Sequence, residues 1–212
     1  MSNFIYRFLS AIILCPLFIF ALYNGKIFFY FFLIIIIILC CYEIYTNIKQ
    51  SYLSFFLYIL IFFFSFSLLK IRGLDETGFI ISLWISIIVW FSDIGGYFVG
   101  KSIGGKNFSK YSPNKTISGL LGSIVFSQFS IFIINLMFSS FQISIKAIIY
   151  QFLLCIIAVY GDIFFSYIKR KNNIKDYSNL IPGHGGVLDR IDGMIIVFIF
   201  YYLLSLLDFG LV

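Results

Sequence analysis

The sequence has few ionisable side chains. Asp, Glu, Lys and Arg together make up only 11% of its 212 residues, whereas soluble domains contain roughly 25%. Proline, with three residues, and histidine, with one, are also scarce. Hydrophobic residues make up 61% of the chain and aromatic residues 22%. A chain of this composition lacks the polar surface that a soluble domain needs, which indicates a protein embedded in a membrane.

The four cysteines form no disulfide or metal-binding pattern. Cys15, Cys40, Cys41 and Cys155 all lie within apolar runs, and none belongs to a CxxC pair. We interpret them as small buried apolar residues. The formal net charge of +6 indicates an anionic partner. Since no soluble domain is available to recognise nucleic acid, we expect membrane lipid headgroups and phosphate substrates as partners, and no nucleic acid.

Long apolar runs predict an all-α polytopic membrane protein. A membrane-spanning helix needs about 20 mostly apolar residues. Ile and Phe favour strands in water, but a bilayer admits only helices or closed barrels, and these runs lack the polar alternation of barrel strands. The runs predict seven transmembrane helices, near residues 8–24, 26–43, 51–70, 77–98, 117–138, 146–168 and 193–211.

The distribution of basic residues predicts the orientation of these helices. With the N-terminus in the cytoplasm, eleven basic residues fall on the cytoplasmic side and four on the other side. This asymmetry is the one that the positive-inside rule favours. Both lysine-rich loops, residues 99–116 and 167–192, then lie on the cytoplasmic face. We therefore expect a polar active site that faces the cytoplasm.

Ionisable residues are concentrated in one stretch, residues 166–192, which reads SYIKRKNNIKDYSNLIPGHGGVLDRID. A membrane protein that gathers its charged groups in one segment is expected to do its chemistry there. The only histidine, His184, lies in this stretch between glycines. We interpret it as a hydrogen-bond donor to phosphate; the alternative is a structural histidine.

Three carboxylates in or near this stretch predict a metal site. Asp162 lies within an apolar run, where an unpaired acid is costly. Asp189 and Asp192 are three residues apart and share a face if a helix begins near Val187. Hard carboxylate oxygens suit Mg²⁺, so Asp162, Asp189 and Asp192 predict a magnesium site open to substrate phosphates. The alternative is a salt-bridge cluster with the neighbouring Lys and Arg side chains.

A second polar region follows the fourth predicted helix. Asp93 precedes several glycines, which allow backbone to approach backbone or a phosphate. Lys115 precedes the fifth helix, which Thr116 or Ser118 can cap. The N–H groups and positive dipole end of that helix, together with Lys115, predict a phosphate site. Glu43, after the second helix, is either a solvated interfacial residue or a contributor to the same active site.

These motifs resemble those of the phosphatidate cytidylyltransferases, also called CDP-diacylglycerol synthases. Residues 166–192 agree with every defined position of that family's motif. The stretches SDIGGYFVGK and SPNKTISG, residues 92–101 and 112–119, resemble two further family segments. Asn114 stands where the family usually has a lysine, and Ser118 where it usually has a glutamate. The chain is also shorter than family members with eight or nine helices.

The resemblance implies transfer of the cytidylyl group of CTP to phosphatidate, giving CDP-diacylglycerol and pyrophosphate, in a bacterial-type inner membrane. It also implies Mg²⁺, K⁺ as a second cation, and a homodimer. Residues 1–76 are then a scaffold of membrane helices, and residues 77–212 the catalytic region. The implied catalytic residues are Asp162, Asp189, Asp192, His184 and Lys175, of which the first three are metal ligands. The implied substrate-binding residues are Lys115, Ser166, Lys169, Arg170, Gly185, Gly186, Arg190 and Asp93.

Two alternatives remain on the sequence alone. In the first, the chain is a transporter whose helices are broken at Gly95-Gly96 and Gly161-Asp162 to form an ion site at the bilayer midplane. In the second, it is another CDP-lipid enzyme, such as a CDP-alcohol phosphotransferase. No internal repeat supports the transporter, and the paired Asp-Gly and Ala-Arg motif of the phosphotransferases is not visible.

Overall fold

The computed structural model describes the backbone of residues 2–181, 183 and 185–207, and side chains from residue 12 onward. The described residues form eight helices and no strand, which confirms the all-α prediction. The helices are α1 (Ser2–Asn24), α2 (Lys26–Asn47), α3 (Ser51–Arg72), α4 (Glu76–Ile103), α5 (Ile117–Ser127), α6 (Phe129–Met137), α7 (Ile145–Lys171) and α8 (Leu188–Leu206).

Five segments of the described chain are long and apolar enough to cross a membrane. They are α2, α3, α4, α7 and the segment Ile117–Met137, which contains both α5 and α6. In α1 the described apolar part, Ile12–Asn24, is shorter than a full crossing requires. The 19 residues of α8 begin with charged side chains, including Asp189 and Asp192. The chain is thus an integral membrane protein, and the count of seven crossings stays a prediction.

The fifth predicted helix, residues 117–138, is interrupted at Gln128. The backbone N–H of Gln128 donates to the Val125 carbonyl, one residue closer than in a regular α-helix. The side chains of Ser127 and Gln128 both donate to the Ile124 carbonyl, at 2.9 and 3.4 Å. Because side-chain donors compete with the backbone for this acceptor, one helical span becomes the two shorter helices α5 and α6.

Helix α4 lies at the centre of the bundle. It packs against α1, α3, α5, α6, α7 and α8, and its residues from Phe79 to Val89 are all buried. In contrast, α2 and α3 expose large apolar side chains such as Phe31 and Phe55. Exposed hydrocarbon on the outside of a bundle is expected where lipid is the solvent.

The helices bring both lysine-rich loops to the same end of the bundle. The α4–α5 loop, residues 104–116, contacts the end of α7, where Arg170 Nε donates to the Tyr111 carbonyl at 3.4 Å. The Tyr111 and Tyr167 rings lie edge to face with their centroids 4.8 Å apart. The α7–α8 loop, residues 172–187, follows directly. At the opposite end, the buried Arg72 donates from Nε to the Leu22 carbonyl at 2.6 Å and ties α3 to the end of α1.

Candidate active site

A polar cavity opens between the two loops. Its volume is about 380 Å³, and its walls come from α4, α5, α7, α8 and both loops. Carboxylates and basic side chains face each other across it. The charged lining residues are Asp93, Lys115, Asp162, Lys169, Asp176, Asp189, Arg190 and Asp192.

One wall is the N-terminus of α5. Thr116 caps the helix, as one of the two sequence alternatives predicts, because its hydroxyl accepts the Gly119 N–H at 3.1 Å. Lys115 immediately precedes this cap. Its ammonium group forms an ion pair with Asp162 on α7 and donates to the Val159 carbonyl at 3.2 Å. A lysine and a helix N-terminus therefore meet at one side of the cavity, where both favour an anion.

The glycines that follow Asp93 bring α4 against α5. A Cβ atom at Gly95 would lie 2.5 Å from the Gly122 carbonyl oxygen, and one at Gly122 would lie 2.6 Å from the Gly95 carbonyl oxygen. A Cβ at Gly96 would lie 2.6 Å from the side-chain Oγ of Ser123, which itself donates to the Ser92 carbonyl at 2.7 Å. The close approach that the sequence predicts at this glycine run is thus one between helix backbones.

The opposite wall is formed by α7 and the first turn of α8. Lys169, which is buried, donates from Nζ to Asp189 Oδ1 at 2.7 Å. The same Nζ lies 3.9 Å from Asp192 Oδ2. Because α8 begins at Leu188, the two carboxylates share one face of its first turn, as the three-residue spacing predicts.

Asp189 also organises the α7–α8 loop. Its Oδ2 accepts the backbone N–H of Tyr177 at 2.7 Å and that of Gly186 at 2.9 Å. Burial, reinforced by the negative charges of Asp192, Asp189 and Glu43, raises the pKa of the Tyr177 hydroxyl. This side chain therefore stays neutral beside the carboxylates. Both oxygens of Asp189 are occupied by donors from the protein itself.

The predicted trio of metal ligands is only partly assembled. Within the described part of the chain, no three acidic, histidine or cysteine side chains are arranged to hold an ion. Asp189 already accepts hydrogen bonds from Lys169 and from the loop backbone. Asp162 and Asp192 face the cavity, where Asp93 and Asp162 both repel the negative charge of Asp192. Mg²⁺ is usually bound by one or two carboxylates with substrate phosphates, and the pair Asp162 and Asp192 fits this pattern.

Seven of the thirteen residues that the sequence predicts for the site line the cavity. They are Asp93, Lys115, Asp162, Lys169, Asp189, Arg190 and Asp192. Lys175, Arg170, Ser166, Gly185 and Gly186 do not line it. His184 lies outside the described residues.

The five residues away from the cavity wall have other surroundings. Ser166 donates to Asp162 Oδ1 at 3.4 Å, so its hydroxyl bonds to a carboxylate that lines the cavity. Arg170 is exposed and donates to loop carbonyls, and Lys175 is exposed. Gly185 exchanges backbone hydrogen bonds with Ile181 at 2.8 and 3.2 Å. Gly186 lies against Glu43, whose carboxylate a Cβ at Gly186 would touch.

Two further acidic residues lie at this end of the bundle: Asp176 was not among the predicted site residues, and Glu43 was predicted there only as one of two alternatives. Asp176 lines the cavity, and its place in the charged 166–192 stretch is the sequence signal that points to it. The interpretation of Glu43 as a solvated interfacial residue is wrong, because its side chain is completely buried beneath the α7–α8 loop. Its one sequence signal is that it is the only acid in the first 74 residues.

The fold and the cavity together define a class of protein. The chain is an integral membrane protein with a polar, mixed-charge cavity at one end of a helical bundle, of the kind suited to phosphorylated ligands. Residues 45–207 match the model of the cytidylyltransferase family, and the chain belongs to this family.

Individual relatives agree with the family match. The chain is 33% identical to the phosphatidate cytidylyltransferase of Rickettsia conorii over 214 residues, covering 97% of this chain and 92% of the relative. It is 38% identical to the enzyme of that name from Helicobacter pylori strain J99 over 57% of this chain and 45% of the relative. It is 36% identical to the enzyme of that name from Bacillus subtilis, over 65% of this chain and 52% of the relative. The matches to these last two relatives cover only about half of their length.

Proposed function

We propose that this protein transfers the cytidylyl group of CTP to phosphatidate, forming CDP-diacylglycerol and releasing pyrophosphate. The observation that carries the proposal is the cavity in which Lys115, Lys169 and Arg190 meet Asp162 and Asp192. It belongs to a chain whose family members are named for this reaction. Cationic groups that face carboxylates at the edge of the hydrocarbon suit a lipid phosphate and a nucleotide triphosphate together.

The chemistry needs positioning more than it needs a base. A phosphatidate oxygen attacks the α-phosphorus of CTP, the bond between the α- and β-phosphates breaks, and pyrophosphate leaves with the electron pair. Because the attacking phosphate oxygen is already an anion, no strong base has to deprotonate it. Holding two anions in line and neutralising their charge therefore supplies the rate enhancement.

The cationic groups of the cavity are suited to this role. Lys115 and the capped N-terminus of α5 form one anion-binding wall, and Lys169 with Arg190 forms the other. In the structure Lys115 is paired with Asp162, and Lys169 with Asp189 and Asp192. Substrate phosphates compete with these carboxylates for the same ammonium groups, which links substrate binding to rearrangement of the ion pairs.

A divalent cation fits two of the carboxylates that face the cavity. We propose that Asp162 and Asp192 hold Mg²⁺, which when bound supplies Lewis-acid stabilisation of the phosphate charge. Asp189 then keeps its place by bonding to Lys169 and the loop backbone and acts as an organiser of the site. The predicted phosphate contacts of His184, Lys175, Ser166, Arg170, Gly185 and Gly186, and the predicted K⁺ and homodimer, stay predictions.

The transporter alternative does not agree with the helices. Its ion site requires breaks at Gly95-Gly96 and Gly161-Asp162, but α4 and α7 run without interruption through both positions. The charged side chains that line the cavity lie at one end of the bundle, where the two loops meet. We propose that this end faces the cytoplasm of a bacterial-type inner membrane, because the positive-inside rule favours that orientation.

The position of a radioactive phosphate tests the reaction. Membranes that contain the protein are supplied with phosphatidate, Mg²⁺ and CTP labelled on either the α- or the γ-phosphate. We expect α-label in the lipid fraction and γ-label in pyrophosphate, with no product when ATP replaces CTP. Asp189→Ala, checked for membrane insertion, should remove the activity because it frees Lys169 and the loop. Lipid that carries γ-label, or full activity in Asp189→Ala, would contradict the proposal.

A further inference from the structure

Glu43, at the C-terminal end of α2, has a side chain that is 0% exposed. Its Oε1 accepts a hydrogen bond from Ser178 Oγ at 2.6 Å and one from the Val187 N–H at 2.7 Å. Its Oε2 accepts the Leu188 N–H at 2.8 Å. All three donors belong to the α7–α8 loop or to the start of α8, more than 130 positions away in sequence.

These contacts make Glu43 the cap of another helix. The first N–H groups of any helix lack partners within it, and Val187, at the N-cap of α8, provides no side-chain acceptor. The Glu43 carboxylate supplies the missing acceptor and places a negative charge at the positive end of the α8 dipole. Among the described residues, none of the ion pairs involves Glu43. The buried carboxylate and the helix end therefore depend on each other.

Gly186 connects this cap to the cavity. A Cβ at Gly186 would lie 2.6 Å from Glu43 Oε1, so the carboxylate packs directly on the glycine backbone. On its other side, Gly186 donates its N–H to Asp189 Oδ2 at 2.9 Å. Asp189 in turn bonds Lys169 at 2.7 Å. The contacts thus run from α2 through Gly186 to the ion pairs that line the cavity.

From this geometry we infer that Glu43 is a positioning residue for the active site. Its carboxylate holds the loop and the first turn of α8 so that Asp189 and Lys169 keep their places in the cavity wall. Glu43 itself does not line the cavity, and it lies just outside the matched segment 45–207. The expected effect of Glu43 on the reaction rate rests on the proposed cytidylyl transfer. Its expected effect on the position of the α7–α8 loop does not.

The test compares Glu43→Gln with Glu76→Gln. The second variant makes the same change at an exposed glutamate, also beside a helix N-terminus, at the other end of the bundle. The amide keeps the size of the side chain but replaces one acceptor oxygen with a donor that faces N–H groups. We expect kcat of Glu43→Gln to fall about tenfold or more, because a buried N–H loses its acceptor. The KM for CTP should change less, since Lys115 and the α5 N-terminus do not contact Glu43.

A second measurement needs no turnover. Hydrogen–deuterium exchange of the purified protein should be faster in Glu43→Gln than in wild type for peptides covering residues 178–190, and unchanged in α3 and α4. A fall in kcat without this local change, or the local change without a fall in kcat, would overturn the inference. Loss of protection throughout the protein would also overturn it, since Glu43 would then serve general stability. If the wild type makes no CDP-lipid, the proposed reaction fails instead, and the exchange result still decides whether Glu43 holds the loop.

Discussion

At the scale of single residues, two carboxylates of the site, Asp189 and Asp162, have both of their oxygens paired with donors from the protein. Asp189 accepts from Lys169, Tyr177 and Gly186, and Asp162 pairs with Lys115. An acid at the edge of hydrocarbon is costly unless it is paired or hydrated. Asp189 and Asp162 are therefore retained together with specific partners, and these pairs form part of the cavity wall.

Gly186 gives a prediction at this scale. Gly186→Ala places a methyl group 2.6 Å from the Glu43 carboxylate, and the loop must shift to admit it. Inserting atoms into a packed site costs about 1–3 kcal/mol. We expect a lower thermal midpoint in detergent and reduced cytidylyl transfer.

Gly193→Ala is the matched control for that change. Gly193 lies in α8, which begins two residues after Gly186. The nearest atom to its added Cβ, Val89 Cγ1, is at 3.4 Å, an ordinary contact distance. Its midpoint should stay close to that of the wild type. Equal midpoints for both variants would show that Glu43 and Gly186 are not in tight contact.

At the scale of elements, the hydropathy of the sequence predicts most of the helices. It does not predict the contacts between helix ends that are far apart in the sequence. Apolar runs predict α1 to α4, α7 and most of α8, and the residues before α5 predict a cap at either Thr116 or Ser118. The interruption at Gln128 was not predicted, because it depends on Ser127 and Gln128 side chains competing for one carbonyl. The burial of Glu43 was not predicted either, since it requires α2 and α8 to meet. Contacts of such long sequence separation leave no local pattern.

The α4–α5 contact gives a prediction at this scale. In Gly95→Ala the added Cβ would lie 2.5 Å from the Gly122 carbonyl oxygen, and neither helix backbone can move without disturbing the cavity wall that both contribute. We expect a destabilisation of about 1–3 kcal/mol and a lower yield of folded protein, read from the thermal midpoint and from size-exclusion profiles.

Val125→Ile is the control for the α4–α5 contact. It also adds one methyl group to this helix pair, but Val125 is 59% exposed on the outside of the bundle. Its thermal midpoint should match that of the wild type. A Gly95→Ala protein as stable as this control would contradict the close approach of the two helices.

At the scale of the whole molecule, topology brings the two lysine-rich loops together. Neither loop alone contains the site, because Lys115 comes from one and Asp189 follows the other. The even number of crossings between them, which the sequence predicts, is what allows their residues to line one cavity. Only the distribution of basic residues indicates on which side of the membrane this end lies, and that orientation stays a prediction.

Cysteine labelling tests this arrangement. Lys106→Cys and Lys175→Cys place thiols at exposed positions in the two loops, and Glu76→Cys places one at the other end of the bundle. With a membrane-impermeant maleimide, both loop cysteines should react in inside-out vesicles and Glu76→Cys in right-side-out vesicles. The wild type, whose four cysteines lie in helices, provides the background. Loop cysteines that react from opposite sides would contradict the fold.

The most direct test of the central claim is cytidylyl transfer by the purified protein, compared between wild type, Asp162→Asn and Asp75→Asn. The two variants lose the same charge, one inside the cavity and one in the exposed turn before α4. We expect wild type and Asp75→Asn to form CDP-diacylglycerol when CTP, phosphatidate and Mg²⁺ are all present. Asp162→Asn should be slower by about 100-fold or more, because charge stabilisation in the site is lost. Equal rates for Asp162→Asn and wild type, or no product from the wild type, would contradict the account.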